Sequence, residues 1–182
     1  MQAQGYRVAR SWEKAGALPS GKTLVVAAPG NLPPPSKRGD VFRQAAVKAL
    51  DTLSRNPNGF FLMIEGSNID KAAHSNNLEE MMEELLDFDR TAGAVLDWAS
   101  KHPGTLVVIT ADHNTGAFAL TGGSREQGEI TGRFGSGSHD GVAVPVYAFG
   151  AGSGDFTGIY ENTDIFNKIM NALKKGADKP VR

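Results

Sequence analysis

The length of 182 residues predicts one domain, residues 1–182, and 40% hydrophobic with 21% charged residues is typical of a packed globular domain. Nineteen basic and 20 acidic residues leave a net charge of −1, so neither a nucleic acid nor a membrane surface is an expected partner. Because the sequence has no cysteine, disulfides and thiolate metal sites are excluded, and any metal must be bound by oxygen and nitrogen ligands.

Apolar runs bounded by Gly, Pro and Asn alternate with stretches of helical periodicity along the chain. In chain order they predict a strand at 24–28, a loop at 31–39, a helix at 41–55 with Asp40 as N-cap, a strand at 60–64, a helix at 78–100, a strand at 105–110, a mobile Gly-rich loop at 122–141, a strand at 144–149 and a helix at 162–174. This alternation indicates an α/β fold with a largely parallel sheet covered by helices on both faces.

The ends of two predicted strands are followed by polar residues. Glu65 comes directly after the strand at 60–64, and Asp112 and His113 follow the strand at 105–110. In α/β sheets, ligands bind beyond the carboxyl ends of the strands. We therefore expect these three residues to lie at a functional edge of the sheet.

One motif in the N-terminal part does not have the context that its chemistry needs. Residues 16–23 match G-x-x-x-x-G-K-[ST], the pattern of a loop that binds nucleotide phosphates. That loop requires a strand before it and a helix after it, so that backbone N–H groups and the helix dipole face the phosphate. Here the pattern leads into a strand, so we interpret it as a turn.

Two residues that could bind one metal are spaced four apart. Asp70 and His74 share a face if residues 69–75 form a helical turn, and His139 lies in a Gly-rich segment able to bring its imidazole to them. Carboxylate with imidazole, without sulfur, is the ligand set of catalytic zinc. An isolated D-x-x-x-H is more often a solvated helix face, but several such elements at one sheet edge favour a site.

Four segments together resemble one known family. They are E-G-S-N-I-D-K-A-A-H at 65–74, T-A-D-H at 110–113, H-D-G followed by V-P-V-Y-A at 139–148, and E-N-T at 161–163. In the same order, they resemble the E-G-x-x-I-D-x-x-x-H, T-A-D-H, H-T-G…V-P-V-Y-A and E-N-T segments of the alkaline phosphatase family. The resemblance covers essentially the whole chain and implies that family's α/β fold.

The resemblance is to the C-terminal portion of that longer family. The portion not matched carries an early metal-binding Asp, the D-S nucleophile segment, a phosphate-binding Arg and a Thr of the magnesium site. No Asp-Ser dipeptide occurs in this sequence, and Asp51-Thr52 lies within a predicted helix. Asp140 stands where the family usually has Thr, which bears on the hydrogen bonding around His139.

The resemblance also implies a role for each candidate ligand. By it, the first zinc would be bound by Asp70, His74 and His139, the second by Asp112 and His113, and a magnesium in part by Glu65. Two neighbouring metals can stabilise both the attacking and the leaving oxygen of an in-line displacement. Only the first zinc has all of its family ligands in this chain, so the second zinc and magnesium sites are expected to be incomplete.

The implied function is zinc-dependent hydrolysis of a phosphomonoester, with inorganic phosphate as product, in a parent protein that is periplasmic or secreted. This chain has no signal-peptide pattern, and we expect it to be inactive alone because the serine nucleophile is missing. We also expect it to associate with itself or with the missing N-terminal portion. The alternatives are a non-catalytic metal-binding or interaction domain, and another metal-dependent phosphotransfer enzyme such as a phosphomutase.

Overall fold

The computed structural model describes residues 1–15 and 21–177, in which a run of four successive helices is followed by a run of six short strands. The helices are α1 (Trp12–Ala15), α2 (Pro35–Arg38), α3 (Val41–Leu53), α4 (Ser67–His74), α5 (Leu78–Ser100) and α6 (Asp164–Ala177), with 3-10 helices at Gln2–Gln4 and Ser153–Phe156. The strands are β1 (Arg7–Ala9), β2 (Thr23–Val25), β3 (Leu106–Thr110), β4 (Asn114–Thr115), β5 (Ala119–Ser124), β6 (Glu129–Arg133), β7 (His139–Asp140) and β8 (Val146–Gly150). The turn predicted at the phosphate-loop-like pattern falls largely on residues 16–20, outside the described residues.

The α/β class is confirmed, but the strands do not form one largely parallel sheet. Within the described ranges they make four two-stranded sheets, of which β1–β2 is parallel, while β3–β8, β4–β7 and β5–β6 are antiparallel. A parallel pair needs a crossover, usually a helix, between its strands. The chain between β3 and β8 contains strands rather than a helix, so β8 returns beside β3 in the opposite direction.

Residues 60–64, predicted as a buried strand, are not a strand in this structure, and the prediction is wrong there. Among the described residues, none pairs with this segment as a strand neighbour. Its side chains still alternate, because Phe61 and Met63 are 62% and 66% exposed while the residues between and beside them are half-buried. The apolar run correctly predicts that side chains alternate between two faces. It does not indicate whether another strand will lie beside the segment and form hydrogen bonds with it.

The Gly-rich segment predicted as a mobile loop instead contains strands. β5 pairs with β6, from Ala119–Arg133 at its base to Ser124–Glu129 near its tip, with an irregular register beside Gly122. β7 then follows and pairs with β4. The glycines suit a tight hairpin because Gly123 and Gly128 have positive φ angles of 145° and 67°. Glycine content here marks turns and bulges within a hairpin rather than an unpaired loop.

The long helices were predicted more accurately than the strands. Helix α5 begins at Leu78 and ends at Ser100, as predicted, and the Asn77 side chain caps it by accepting a hydrogen bond from the Glu80 N–H at 3.1 Å. Helix α6 also lies at the predicted place, with shifted ends. Within the described part of the chain, no helix combines the length and apolar character needed to cross a membrane.

Helix α3 begins at Val41, as predicted, and ends at Leu53, two residues before the predicted limit. Asp40 occupies the N-cap position, but its side chain makes no capping hydrogen bond. Instead, its carboxylate accepts a hydrogen bond from Arg43, which lowers the pKa of Asp40 from its usual value. The predicted helix start and the N-cap position of Asp40 are confirmed, although its carboxylate accepts from Arg43 and does not cap a backbone N–H.

A small hydrophobic cluster packs helix α4 against helix α5. Its buried members are Ala72, Ala73 and Met81, and the half-buried side chains of Ile69, Leu78, Phe118 and Phe134 pack against it. The small alanines let α4 approach the residues that flank the β5–β6 hairpin. As a result, the opposite face of α4 is turned toward the segment that precedes β7.

Candidate metal centre

Helix α4 presents one carboxylate and one imidazole on a single face. Asp70 and His74 lie four residues apart, and the distance from His74 Nε2 to Asp70 Oδ2 is 3.4 Å. His139, at the start of β7, joins them, with its Nε2 at 3.0 Å from His74 Nε2 and 3.5 Å from Asp70 Oδ1. The three side chains are between 37% and 51% exposed, so a ligand from solvent can reach them.

The separations between the donor atoms of these three side chains fit one metal ion. Zinc bonds of about 2.0–2.1 Å in tetrahedral geometry place neighbouring ligand atoms about 3.3 Å apart. The two imidazole Nε2 atoms lie 3.0 Å apart, and each lies 3.4 or 3.5 Å from its nearer Asp70 carboxylate oxygen, Oδ2 for His74 and Oδ1 for His139, which is close to that spacing. His74 Nδ1 lies 2.8 Å from the Gly137 carbonyl oxygen, to which an Nδ1–H would donate. That tautomer leaves a lone pair on Nε2, the nitrogen that faces the other two donors.

The segment that carries His139 is anchored by backbone hydrogen bonds. The Gly116 N–H donates to the Ser138 carbonyl at 2.9 Å, and the Ser136 N–H donates to the Gly116 carbonyl at 3.1 Å. Gly116 has a φ of 81°, and a Cβ there would lie 2.8 Å from the Phe134 ring and 3.1 Å from the Ala73 carbonyl oxygen. Only glycine fits this close approach, which fixes the segment beside helix α4.

Asp140 braces the strand pair that holds His139. Its carboxylate accepts hydrogen bonds from the Val142 N–H at 3.1 Å, the Asn114 side-chain amide at 2.9 Å and the Ala117 N–H at 3.1 Å. The Val142 N–H, together with the Asn114 and Ala117 donors, holds the pKa of Asp140 below its usual range. A carboxylate with three donors therefore ties β4 to β7 at the position next to His139.

Thr115 links two candidate groups and was missed at the sequence level. Its side-chain hydroxyl donates to Asp70 Oδ1 at 2.6 Å and lies 3.1 Å from His113 Nδ1, and the residue is 8% exposed. The sequence offered one indication of this contact. Thr115 lies two residues after His113, so both side chains point to the same side if the chain is extended there. A buried hydroxyl in this place orients the Asp70 carboxylate toward the two imidazoles.

The remaining predicted ligands are not part of the three-residue cluster. The His113 ring stacks on the His139 ring, with centroids 3.6 Å apart. Asp112 Oδ2 lies 3.3 Å from His113 Nε2, and the Asp112 side chain is 86% exposed. Glu65 is exposed and directly precedes Gly66, the N-cap residue of helix α4. The structure therefore brings together three of the six predicted ligands, Asp70, His74 and His139. Asp112 and His113 form a separate pair.

Comparisons of the sequence with known proteins point to one family. A model of the family described as alkaline phosphatase matches residues 31–132. Alkaline phosphatase H of Pseudomonas aeruginosa is 28% identical over 94% of this chain and 46% of its own length. Streptomycin-6-phosphate phosphatase of Streptomyces griseus is 30% identical over 94% of this chain and 49% of its own length. The chain thus spans about half the length of the curated relatives it matches.

Solved structures with the same fold come from the same family. A mutant of the TAB5 alkaline phosphatase with Mg bound in the M3 site has a TM-score of 0.83 and 32% identity, covering 95% of this chain and 54% of that one. The cold-active alkaline phosphatase of the psychrophile Shewanella sp. has a TM-score of 0.86 and 25% identity, over 94% of this chain and 60% of that one. The fold, the matched motifs and the family model agree, and the chain belongs to the alkaline phosphatase family.

Proposed function

We propose that this chain is the metal-binding portion of a phosphomonoester hydrolase and that Asp70, His74 and His139 bind zinc. The observation that carries the proposal is the convergence of two imidazole nitrogens and one carboxylate within 4.8 Å of one another. Two imidazoles and a carboxylate leave a fourth position open for water or a phosphate oxygen, as in catalytic zinc sites. Membership of the alkaline phosphatase family supports the same assignment.

The chain's own residues determine what such a site can do. Zinc bound there would act as a Lewis acid toward a phosphoryl oxygen. His74 keeps its Nε2 free through its contact with Gly137, and Thr115 orients the Asp70 carboxylate. The cluster is exposed to solvent, so a phosphomonoester, the substrate class that the family resemblance implies, can reach it.

We further propose that Asp112 and His113 provide part of a second zinc site and that Glu65 provides part of a magnesium site. Asp112 and His113 offer two donor groups, so their zinc affinity is expected to be the weaker one. Magnesium keeps an octahedral oxygen shell, which one exposed carboxylate does not complete. A periplasmic or secreted location of the whole protein is part of the same proposal.

A second candidate function is supported by the sequence itself. Residues 1–182 contain no Asp-Ser dipeptide, the segment that carries the nucleophile in the resembled family. The polypeptide could therefore serve as a metal-binding module without turnover of its own. Zinc binding is expected under both functions, and phosphatase activity separates them.

Zinc titration by calorimetry tests the proposed ligands. We expect one high-affinity site in the metal-free wild type and a loss of affinity in His139→Ala larger than the ~100-fold that outer-shell substitutions reach. The matched control is His102→Ala, since His102 is exposed and stacks on Trp98 with ring centroids 3.7 Å apart. Equal zinc affinities of wild type and His139→Ala, or tighter binding at Asp112 and His113, would contradict the assignment.

We also propose that residues 60–64 are a docking edge that a second copy of the chain covers when the chain is alone. Phe61 and Met63 are exposed on a segment that has no strand neighbour among the described residues. Unpaired backbone groups and exposed apolar side chains on such an edge favour pairing with another chain. Members of the family are about twice as long as this chain. If a polypeptide that corresponds to their remaining part were added, the same edge would join a larger, largely parallel sheet.

Light scattering measures this association directly. We expect the wild type to form a dimer or larger assembly at micromolar concentration and Met63→Lys to shift it toward monomer, because lysine blocks pairing at an edge. Ile159→Lys is the matched control, since Ile159 is fully exposed outside the segment. A monomeric wild type, or equal shifts for the two variants, would refute the docking edge.

A further inference from the structure

A buried ion network lies outside the proposed metal site. The Arg38 guanidinium donates to both carboxylate oxygens of Glu84, at 2.8 and 2.7 Å, and to Asp87 Oδ2 at 2.7 Å. The side chains of Arg38 and Glu84 are each 5% exposed and that of Asp87 is 3% exposed. Buried charges persist only when they are paired and hydrogen-bonded, so this network has one well-defined geometry.

The network also fixes the chain segment that precedes helix α3. Arg38 donates a further hydrogen bond to the Pro33 carbonyl at 2.9 Å, and the Ser36 N–H donates to Glu83 at 2.8 Å. Burial disfavours the charge of Arg38, but the hydrogen bonds to Glu84 and Asp87 outweigh it and raise the pKa of Arg38. The guanidinium is therefore a permanent cation that holds Glu84 in place on helix α5.

Glu84 then reaches helix α4 through one amide. The Asn68 side-chain nitrogen donates to Glu84 Oε1 at 3.2 Å and lies 3.5 Å from the Leu32 carbonyl oxygen. Asn68 is in the first turn of α4, two residues before Asp70. Arg38, Glu84 and Asn68 thus form a continuous polar chain from the buried network to the helix that carries Asp70 and His74.

We infer that Asn68 is a positioning residue for the proposed zinc ligands, an inference that rests on the proposed function of that site. Hydrophobic packing holds α4 near α5, but apolar contacts are non-directional and tolerate a rotation of the helix about its axis. The Asn68–Glu84 hydrogen bond is directional and limits that freedom at the turn before Asp70. A metal site requires its ligands to stay within about 0.5 Å of the productive geometry.

Zinc titration of Asn68→Asp tests the inference, because this substitution keeps the size of the side chain and removes the donor. It also places a carboxylate against Glu84, so α4 should shift and zinc should bind ~10-fold or more weakly. Asn167→Asp, the same chemical change at an exposed position of α6, should leave the affinity unchanged. The visible spectrum of bound Co²⁺ should change in Asn68→Asp alone, since it reports ligand geometry rather than stability.

The outcomes separate this inference from the proposed function. If the wild type does not bind zinc, the proposed function fails, and the inference fails with it. If the wild type binds zinc and Asn68→Asp binds it equally with an unchanged Co²⁺ spectrum, only the inference is overturned. Asn68→Ala serves if Asn68→Asp does not fold, and wild-type zinc affinity in Asn68→Ala would likewise overturn the positioning role.

Discussion

The polypeptide of residues 1–182, purified and supplied with zinc and magnesium, is expected to hydrolyse an aryl phosphomonoester at no more than trace rates. The family resemblance implies a serine nucleophile in a D-S segment, which no segment of this sequence matches, and Asp112 and His113 supply only two ligands of the proposed second zinc site. Removing a nucleophile that acts as a unit with its activating groups can cost on the order of 10⁶ in turnover. The release of a coloured phenolate under steady-state conditions measures the rate.

A full-length relative, alkaline phosphatase H of Pseudomonas aeruginosa, assayed in the same buffer, shows that the conditions support turnover. His74→Ala provides a second control, because any contaminating phosphatase would be unaffected by that substitution. Zinc-dependent hydrolysis at the rate of the relative, abolished by His74→Ala, would show that residues 1–182 form a complete enzyme. A trace rate that is equal in wild type and His74→Ala agrees with the expectation.

Replacing Arg38 with alanine is expected to lower the free energy of unfolding by about 3–5 kcal/mol. The substitution leaves the Glu84 side chain, 5% exposed, without its cation, and it leaves Asp87, 3% exposed, with only the longer contact of 3.4 Å to Arg90. Removing one partner of a buried pair costs far more than the pair contributes, since an uncompensated charge remains buried. Urea denaturation followed by circular dichroism measures the change.

The matched control is Arg43→Ala, because Arg43 also pairs with an aspartate, but with side chains 42% and 51% exposed. Exposed pairs contribute little after solvent screening and side-chain entropy, so the denaturation midpoint of Arg43→Ala should stay close to that of the wild type. Equal midpoints for Arg38→Ala and Arg43→Ala would mean that the buried network contributes no net stability. Loss of cooperative unfolding in Arg38→Ala alone would agree with the prediction.

Helices were predictable because the information that forms them is local. The limits of α5 follow from its apolar stripe and from Asn77, three residues before the N–H that its side chain caps. Strands depend on partners that are distant in sequence, so residues 60–64 could be predicted as apolar but not as unpaired. The sequence also did not predict that β8 runs antiparallel to β3. The chain between them contains the strands β5, β6 and β7, and its glycine content had suggested a loop.

In the candidate site, too, local relationships could be predicted from the sequence and long-range contacts could not. Asp70 and His74 could be paired from their spacing on one helix, whereas His139 was assigned from a flexible-looking segment and from the family motif. Thr115 was missed because its spacing of two from His113 does not by itself indicate a buried hydroxyl in contact with Asp70. The Arg38 network was missed because its partners are 46 and 49 residues away, and charged residues do not indicate which opposite charge they will meet.

Because β4 pairs with β7, the position of His139 does not depend on how long the chain between these two strands is. Thr115 pairs with His139, and Asn114 pairs with Asp140. These pairs hold together the two ends of the chain that contains the β5–β6 hairpin. Residues 125–128 at its tip are exposed, and lengthening a loop whose ends are already held together costs little additional entropy. Insertions or deletions at that tip can therefore accumulate among related chains, or carry an added recognition element, without displacing the imidazole.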